Sequence, residues 1–244
     1  MESCNIDISV IVPVYNSAET ISELASRIVS AMIRQKLAYE IILIDDCSAD
    51  NSWAEIKKVC QINAQITGAR LAINTGQWCA SIAGIGRARG KYIVTIDDDL
   101  EYDPRDILKL YDTIISGNYQ VVFGTADEKY HLQGKSRSLS RWRNNLLNAL
   151  WNKGRTDSFK IFDRTLVFDK NAFLLKEHFE AFITHHLERK HWGYCSVNFN
   201  KRISGASNHT FIKKMKLFFL FTSHHLMRGR ATADYSIVEE VTRL

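Results

Sequence analysis

No stretch of this 244-residue chain approaches the run of about twenty apolar residues that a membrane-spanning helix needs, so it is not expected to cross a bilayer. The amino terminus, MESCNID, has neither the basic start nor the apolar core of a secretory leader. Cysteine is scarce and scattered. Cys4, Cys47, Cys60, Cys79 and Cys195 fall into no CxxC or other metal-ligand spacing, and they read as reduced thiols in a cytoplasmic protein. The pairs His185-His186 and His224-His225 diverge in direction on a helix and have no carboxylate at ligand spacing, so no metal is assigned to them. No Gly-rich loop bearing Arg or Lys follows the first apolar run, which argues against a nucleotidyltransferase acting on a triphosphate. Nothing in the chain singles out nucleic acid as a partner.

What the chain does have is enough apolar residue, 45%, to bury one substantial core. Its first half repeats a strand-then-helix rhythm. Residues 8–12 are an apolar, largely β-branched run, residues 13–16 are read as the loop after it, and Ile21, Leu24, Ile28 and Met32 mark one face of a helix. Residues 40–44 give a second strand ending on Asp45 and Asp46, and Trp53, Ile56, Val59 and Cys60 give a second amphipathic helix that Asp50 is placed to cap. A third strand over 69–73, a small-residue helix over 76–88 and a fourth strand over 92–96 follow. Such alternation predicts an α/β fold with a mostly parallel central sheet and helices on both faces.

The fourth strand organises the chemistry. Its apolar run, YIVTI, stops on Asp97, Asp98 and Asp99, and carboxylates gathered at the end of a buried strand are costly. Alternation along a strand lets Asp97 and Asp99 point one way while Asp98 points elsewhere, which sets two hard oxygen ligands beside one hole. A divalent cation would relieve their repulsion. The competing reading is a solvated acidic turn ahead of a helix begun by Pro104. Asp45 ends a strand at the same edge, because the carboxyl ends of parallel strands lie together.

Four segments then carry a resemblance: VIVPVYN at Val10 to Asn16, DDCSAD at Asp45 to Asp50, NTGQWCASIAGIGRARG at Asn74 to Gly90, and IDDDLEYDP at Ile96 to Pro104. In this order they resemble the family-2 inverting glycosyltransferases with the GT-A fold. The resemblance implies a Rossmann-like domain over 1–210, with a nucleotide-sugar half (1–117), an acceptor half (118–210) and a basic amphipathic segment over 211–244. It makes Asp97 and Asp99 the acids of the DxD motif, with Glu101 where related enzymes often carry Gln as a further metal-side residue. An oxygen-only ligand set suits Mg2+ or Mn2+. On the donor side, Pro13, Tyr15 and Asn16 would meet the base and Asp45 would accept from a base N–H or a ribose hydroxyl. Asp46, Gly76, Gln77 and Asp98 complete that side. Tyr15 has a second reading, simple packing against the second helix.

Lys and Arg thin out before Asp99 and gather over 129–164 and 201–230, within a formal net charge of +5, which points to an anionic partner for the second half. Residues 118–123 read as another strand. In RSLSRWRNNLLNALWN, Leu139, Trp142, Leu146 and Leu150 keep helical spacing with Arg137, Arg141 and Arg143 interleaved, and a membrane surface, a phosphate and a solvated face all remain open. DSFKIFDR at 157–164 resembles a family segment ending in a Phe-Arg-Leu-like run, with Lys160 in place of the Arg and Asp157 one position from the usual acid. KRISGASNHT at 201–210 resembles the R-x-x-G-x-S-x-Y stretch of the polyprenyl-phosphate branch, which includes dolichyl-phosphate-mannose synthase-like enzymes; Arg202, Gly205 and Ser207 match and His209 replaces Tyr. Asn74, Gly76 and Gln77 point to the same branch. By this resemblance Asp99, Asp157, Lys160 and Arg202 are the candidate catalytic residues.

A phosphate monoester is already largely anionic near neutral pH and needs basic residues for positioning more than it needs a general base. A sugar hydroxyl needs a base, for which Glu177, Glu180 or Glu188 on an expected helix could serve. The C-terminal FIKKMKLFFLF sets three lysines in a bulky apolar cluster, suited to an anionic membrane interface or equally to docking on a core or an oligomer contact. The expectation is therefore a metal-dependent glycosyltransferase, peripheral on the inner face of the cytoplasmic membrane, that passes a sugar from a nucleotide-sugar to a lipid-linked acceptor, polyprenyl phosphate. Transfer to a sugar hydroxyl of a cell-surface glycan is the rival, and a non-catalytic nucleotide-sugar-binding protein is the rival of another class.

Overall fold

The β-branched runs become strands and the 3.6-period runs become helices. In the computed structural model, which describes residues 6–126, 158–168, 187–200 and 237–241, the strands are β1 (Ile8–Val14), β2 (Tyr39–Asp45), β3 (Ile66–Leu71), β4 (Tyr92–Thr95), β5 (Val121–Ala126), β6 (Lys160–Asp163), β7 (Trp192–Val197) and β8 (Ile237–Val241). The helices are α1 (Ile21–Gln35), α2 (Ser52–Ile62), α3 (Gln77–Ile85), α4 (Ile107–Ser116) and the short α5 (Thr165–Phe168). One sheet takes all eight strands in the order β7-β5-β6-β4-β1-β2-β3-β8. β3, β2, β1 and β4 are mutually parallel, β5 and β7 are parallel, and β6 and β8 run against their neighbours. The sheet is thus mostly parallel, with β1 at its centre and the carboxyl ends of β2, β1 and β4 side by side.

Strand alternation divides the core into two layers. On one face Val10, Val12, Val14, Ile41, Leu43 and Val94 meet Leu24, Ile28 and Met32 of α1, Trp53 and Ile56 of α2, and Leu110 and Ile114 of α4. On the other, Ile11, Ile42, Ile44 and Ile93 meet Ala80, Ala83 and Ile85 of α3, with Leu166 and Val167 of α5 beside Phe123 and Phe162. The apolar faces read from the sequence for α1 and α2 are the buried ones. Small residues let α3 lie close: a Cβ on Gly84 would stand 2.5 Å from Ile11 Cγ2.

Several boundaries differ from the sequence reading, each for a local reason. Pro13 and Val14 lie inside β1 rather than in the loop after it. Val14 accepts from Asp46 N on the β2 side, whereas Ile11 accepts from Ile96 N on the β4 side, so Pro13 turns its missing N–H toward β4 beyond the last paired residue. β3 starts at Ile66, opposite Ile41, and ends before the exposed Ile73. β5 starts at Val121 rather than residue 118, because Asn118 adopts the left-handed conformation (φ 50°) just past α4. Glu188 is extended and exposed and leads into a 3-10 turn, not a helix. Ile237–Val241, assigned from the sequence to the C-terminal segment, joins the sheet as the strand beside β3.

The amino ends of the central strands are stapled. Buried Glu40 accepts from Ser9 Oγ (2.6 Å) and Arg89 N (2.7 Å) and pairs with the Arg89 guanidinium (2.7 Å), while Gly90 N donates to Ser9 Oγ (2.8 Å). The opposite, carboxyl ends carry the loops where open α/β sheets generally bind ligands.

Candidate functional site

Four loops leave the carboxyl ends of β1, β2, β3 and β4, and hydrogen bonds join them into a closed ring. The loop after β1 is tied to the loop after β2: Asn16 N donates to Ser48 Oγ (3.0 Å), Ala49 N to Asn16 Oδ1 (2.9 Å), Ser17 N to Ser52 Oγ (2.8 Å) and Ala18 N to Asp50 Oδ2 (3.2 Å). The loop after β2 holds the loop after β3 through Asp46, which accepts from Thr75 N (2.7 Å), Thr75 Oγ1 (3.0 Å) and Gly76 N (2.8 Å). Gln77, at the start of α3, donates its side-chain amide to Asp97 Oδ1. Asp98 Oδ2 then accepts from Tyr15 N (3.0 Å), which closes the circuit back to β1.

The backbone at this edge is held in unusual conformations. Asn16, Cys47 and Leu100, which follow β1, β2 and β4, all have positive φ (54°, 57° and 59°). Left-handed non-glycine residues cost free energy and persist where the surroundings fix them, which here is the hydrogen-bonded ring. Gly76, with φ +91°, supplies the remaining left-handed turn without a Cβ.

Asp97 sits two residues beyond β4 and is held on both oxygens, by Gln77 and by the Ser158 hydroxyl, which donates to Oδ2 over 2.7 Å. Burial pushes its carboxyl up to about 7; the charges of Asp99 and Asp98 add to this, while the Ser158 hydrogen bond and the charge of Lys160 oppose it. Asp98 is likewise raised, first by burial. Asp99 is buried and accepts from Glu101 N (3.0 Å). Lys160 is buried on β6 in register with Thr95. Among the described residues no three His, Cys, Asp or Glu side chains form a metal-binding group. Carboxylates crowded in this way fit a Mg2+ or Mn2+ site of the kind completed by phosphate oxygens and water. Asp97 and Asp99 would hold such an ion, with Glu101 beside them.

Asp45 is fully buried at the end of β2. Its Oδ1 accepts from Ser48 N (3.3 Å), and Arg70 Nε lies 3.0 Å from Oδ2 without the alignment of a hydrogen bond, so Oδ2 lacks one. Burial raises its carboxyl above the ordinary range, against the opposing Ser48 and Arg70 contributions. Pro13 is buried in β1, whereas Tyr15 and Asn16 are exposed at the rim, with Tyr15 38% exposed. The loop after β4 is braced by residues beside β6 and β7: Asn200 N donates to Glu101 O (2.7 Å), and the Tyr102 ring meets Phe159 and Phe199. The N-cap of α2 is Asn51, and Asp50, one residue ahead of it, accepts from Ser52 N (2.9 Å).

The structure therefore gathers Tyr15, Asn16, Asp45, Asp46, Gly76, Gln77, Asp97, Asp98, Asp99, Glu101 and Lys160 at one edge of the sheet. Asp157, Arg202, Glu177, Glu180, the Arg-rich stretch over 137–152 and the FIKKMKLFFLF stretch lie outside the described residues. Ser158, Thr20, Ser48 and Arg70 were not singled out from the sequence. Ser158 stands two positions from Lys160, and that adjacency was the available signal. No helix among the described residues is long and apolar enough to cross a membrane.

The chain is 32% identical over 151 residues to an undecaprenyl-phosphate 4-deoxy-4-formamido-L-arabinose transferase of Edwardsiella ictaluri (strain 93-146), covering 62% of this chain and 46% of the relative. It is 28% identical over 204 residues to the protein of that name from Pseudomonas fluorescens (strain SBW25), covering 75% and 58%. The chain thus spans about half the length of these curated relatives. Among solved structures it resembles a mannosyltransferase from Pyrobaculum calidifontis in complex with GDP-Man and Mn2+ (TM-score 0.65, 15% identity, 94% of this chain and 67% of that one). It also resembles glucosyl-3-phosphoglycerate synthase from Mycobacterium tuberculosis in complex with Mn2+ and UDP-Glc (TM-score 0.63, 15% identity, 89% and 78%). At such identities the likeness speaks for the fold, the GT-A fold. The pattern of Glycosyl transferase family 2 extends over residues 9–182, from the second residue of β1 past the strand that carries Lys160, and the chain belongs to that family.

Proposed function

We propose that this protein transfers a sugar, with inversion and with the help of Mg2+ or Mn2+, from a nucleotide-sugar to a lipid-linked acceptor, polyprenyl phosphate, at the cytoplasmic face of a membrane. The observation that carries the reading is the crowding of Asp97, Asp98 and Asp99 at the end of β4, inside a ring of loops that also holds Tyr15 and Asp45. The undecaprenyl-phosphate transferases among its relatives support the acceptor. The structural neighbours solved with Mn2+ and a nucleotide-sugar support the donor and the metal.

In the proposed reaction an acceptor phosphate oxygen bonds to the anomeric carbon on the face opposite the diphosphate, and the electron pair of the breaking bond leaves on the diphosphate oxygen. A bound divalent ion would supply charge stabilisation to that leaving group. Asp97 and Asp99 hold the ion's place, and Gln77 and Ser158 fix the Asp97 carboxylate. Tyr15 and Asn16 would face the nucleotide, and Asp45 would accept from a base N–H or a ribose hydroxyl. Lys160 and Arg202 are assigned to the acceptor side, where cationic residues would orient an already anionic phosphate, with Asp157 as the accompanying acidic candidate.

Incubation with radiolabelled nucleotide-sugars, membranes and Mn2+ tests the proposal. Label entering the organic-extractable lipid with wild type, and lost with Asp99→Ala, is the expected result. Label entering only water-soluble glycan would support the hydroxyl acceptor instead. Nucleotide-sugar binding without transfer would make the protein a binding module.

A further inference from the structure

The acidic run at the end of β4 contains one carboxylate more than a two-acid metal site uses. Asp98 lies between the proposed ligands Asp97 and Asp99 and adds its own like charge to theirs. Its contacts lead away from them. Oδ2 accepts the backbone amide proton of Tyr15 at 3.0 Å, and its carbonyl oxygen accepts from Thr20 Oγ1 at 2.5 Å. Thr20 Oγ1 also lies 3.0 Å from Ser17 O, so one hydroxyl stands between the two loops. On its other flank the Tyr15 to Ala18 loop is fixed to the loop after β2, through Ser48, Ala49, Asp50 and Ser52. Asp98, together with the Ser17 and Thr20 side chains, thus joins the loop after β1 to the loop after β4.

We infer that Asp98 is a positioning residue that sets Tyr15 over the nucleotide site by holding its amide, rather than a third metal ligand. The inference rests on the proposed nucleotide-sugar site. It requires an acceptor oxygen at this position and not a charge, so an amide side chain can take its place. A ligand to a hard divalent cation, in contrast, depends on its charge.

Hydrogen exchange and nucleotide binding test this with Asp98→Ala, Asp98→Asn, Tyr15→Ala and the Asp98→Ala, Tyr15→Ala double variant. Without metal or nucleotide, Asp98→Ala is expected to speed exchange at the Tyr15 amide by about tenfold, the effect of a lost hydrogen bond, and Asp98→Asn to recover most of the protection. With Mn2+ and either UDP or GDP as the probe, Asp98→Ala is expected to weaken binding about tenfold, Asp98→Asn to recover most of it, and Asp98→Ala to add less than about twofold in the Tyr15→Ala background. Unchanged Tyr15 exchange in Asp98→Ala, Asp98→Asn as weak as Asp98→Ala, or additive effects in the double variant would each overturn the inference. If wild type binds neither nucleotide with Mn2+, the nucleotide-site reading is what fails, and the exchange arm still judges the role of Asp98 in holding the loop.

Discussion

Ser158 Oγ donates to Asp97 Oδ2 across 2.7 Å, although 61 residues separate the two in the chain. The contact exists because β6 pairs antiparallel with β4, setting Lys160 opposite Thr95, and because Thr95 Oγ1 donates to the Ser158 carbonyl at 2.7 Å. A residue ahead of β6 thereby orients a carboxylate that follows β4.

Removing that hydroxyl should loosen Asp97 with little harm to the fold. Ser158→Ala is expected to weaken Mn2+-dependent binding of a nucleoside diphosphate by about tenfold, since it deletes one hydrogen bond to a charged group. Its melting temperature should fall by no more than a few degrees. Calorimetric titration beside a thermal melt separates the two effects, and a variant that binds as tightly as wild type would remove Ser158 from the site.

Ligand-linked stability gives a second check. Mn2+ together with a nucleoside diphosphate at about a hundred times its dissociation constant should stabilise wild type by about 2.7 kcal/mol. That gain should vanish on chelation by EDTA, and in Asp99→Ala. A thermal-shift panel across bases reads it, and an equal shift in wild type and Asp99→Ala would exclude Asp99 as a ligand.

The burial of Asp45 makes a prediction about pH. Its carboxyl is raised in the folded chain, so the folded state binds its proton more tightly than the unfolded state does. The associated stability is fully present below the unfolded value of about 4 and is lost as pH rises through the folded value. Asp45→Asn has no such proton to lose. Its stability relative to wild type should therefore increase as pH rises from acid toward neutrality, measured by urea unfolding at several pH values. A trend in the opposite direction would mean that the Arg70 charge outweighs burial.

Away from the site, Gly90 is the sharpest test of the staple at the amino ends of the strands. A Cβ there would lie 2.6 Å from Ser9 N and 2.7 Å from Ile8 C, and backbone atoms cannot swing aside as a side-chain tip can. Gly90→Ala should destabilise the protein by about 1–3 kcal/mol, the usual range for overpacking, as judged by chemical denaturation. Nucleotide binding at the opposite edge should persist in the folded fraction.

What the sequence alone determined follows from period and order. The β-branched runs at residues 8–12, 40–44 and 92–96 and the 3.6-residue spacing of Ile21, Leu24, Ile28 and Met32 are local signals, and they fixed a parallel sheet covered on both faces. Asp45 and Asp97 could be placed at one edge because parallel strands share a carboxyl end. Tertiary structure decided the rest. That β6 inserts between β4 and β5, and that β8 returns to pair with β3, depends on contacts between residues far apart in the chain, whose pairing energy no local window contains. The same holds for the partners of each carboxylate: Asp46 holds a turn, Asp97 is gripped by Gln77 and Ser158, and Asp98 holds Tyr15. Spacing shows that acids converge, but which oxygen meets which donor is set only when the loops close on one another.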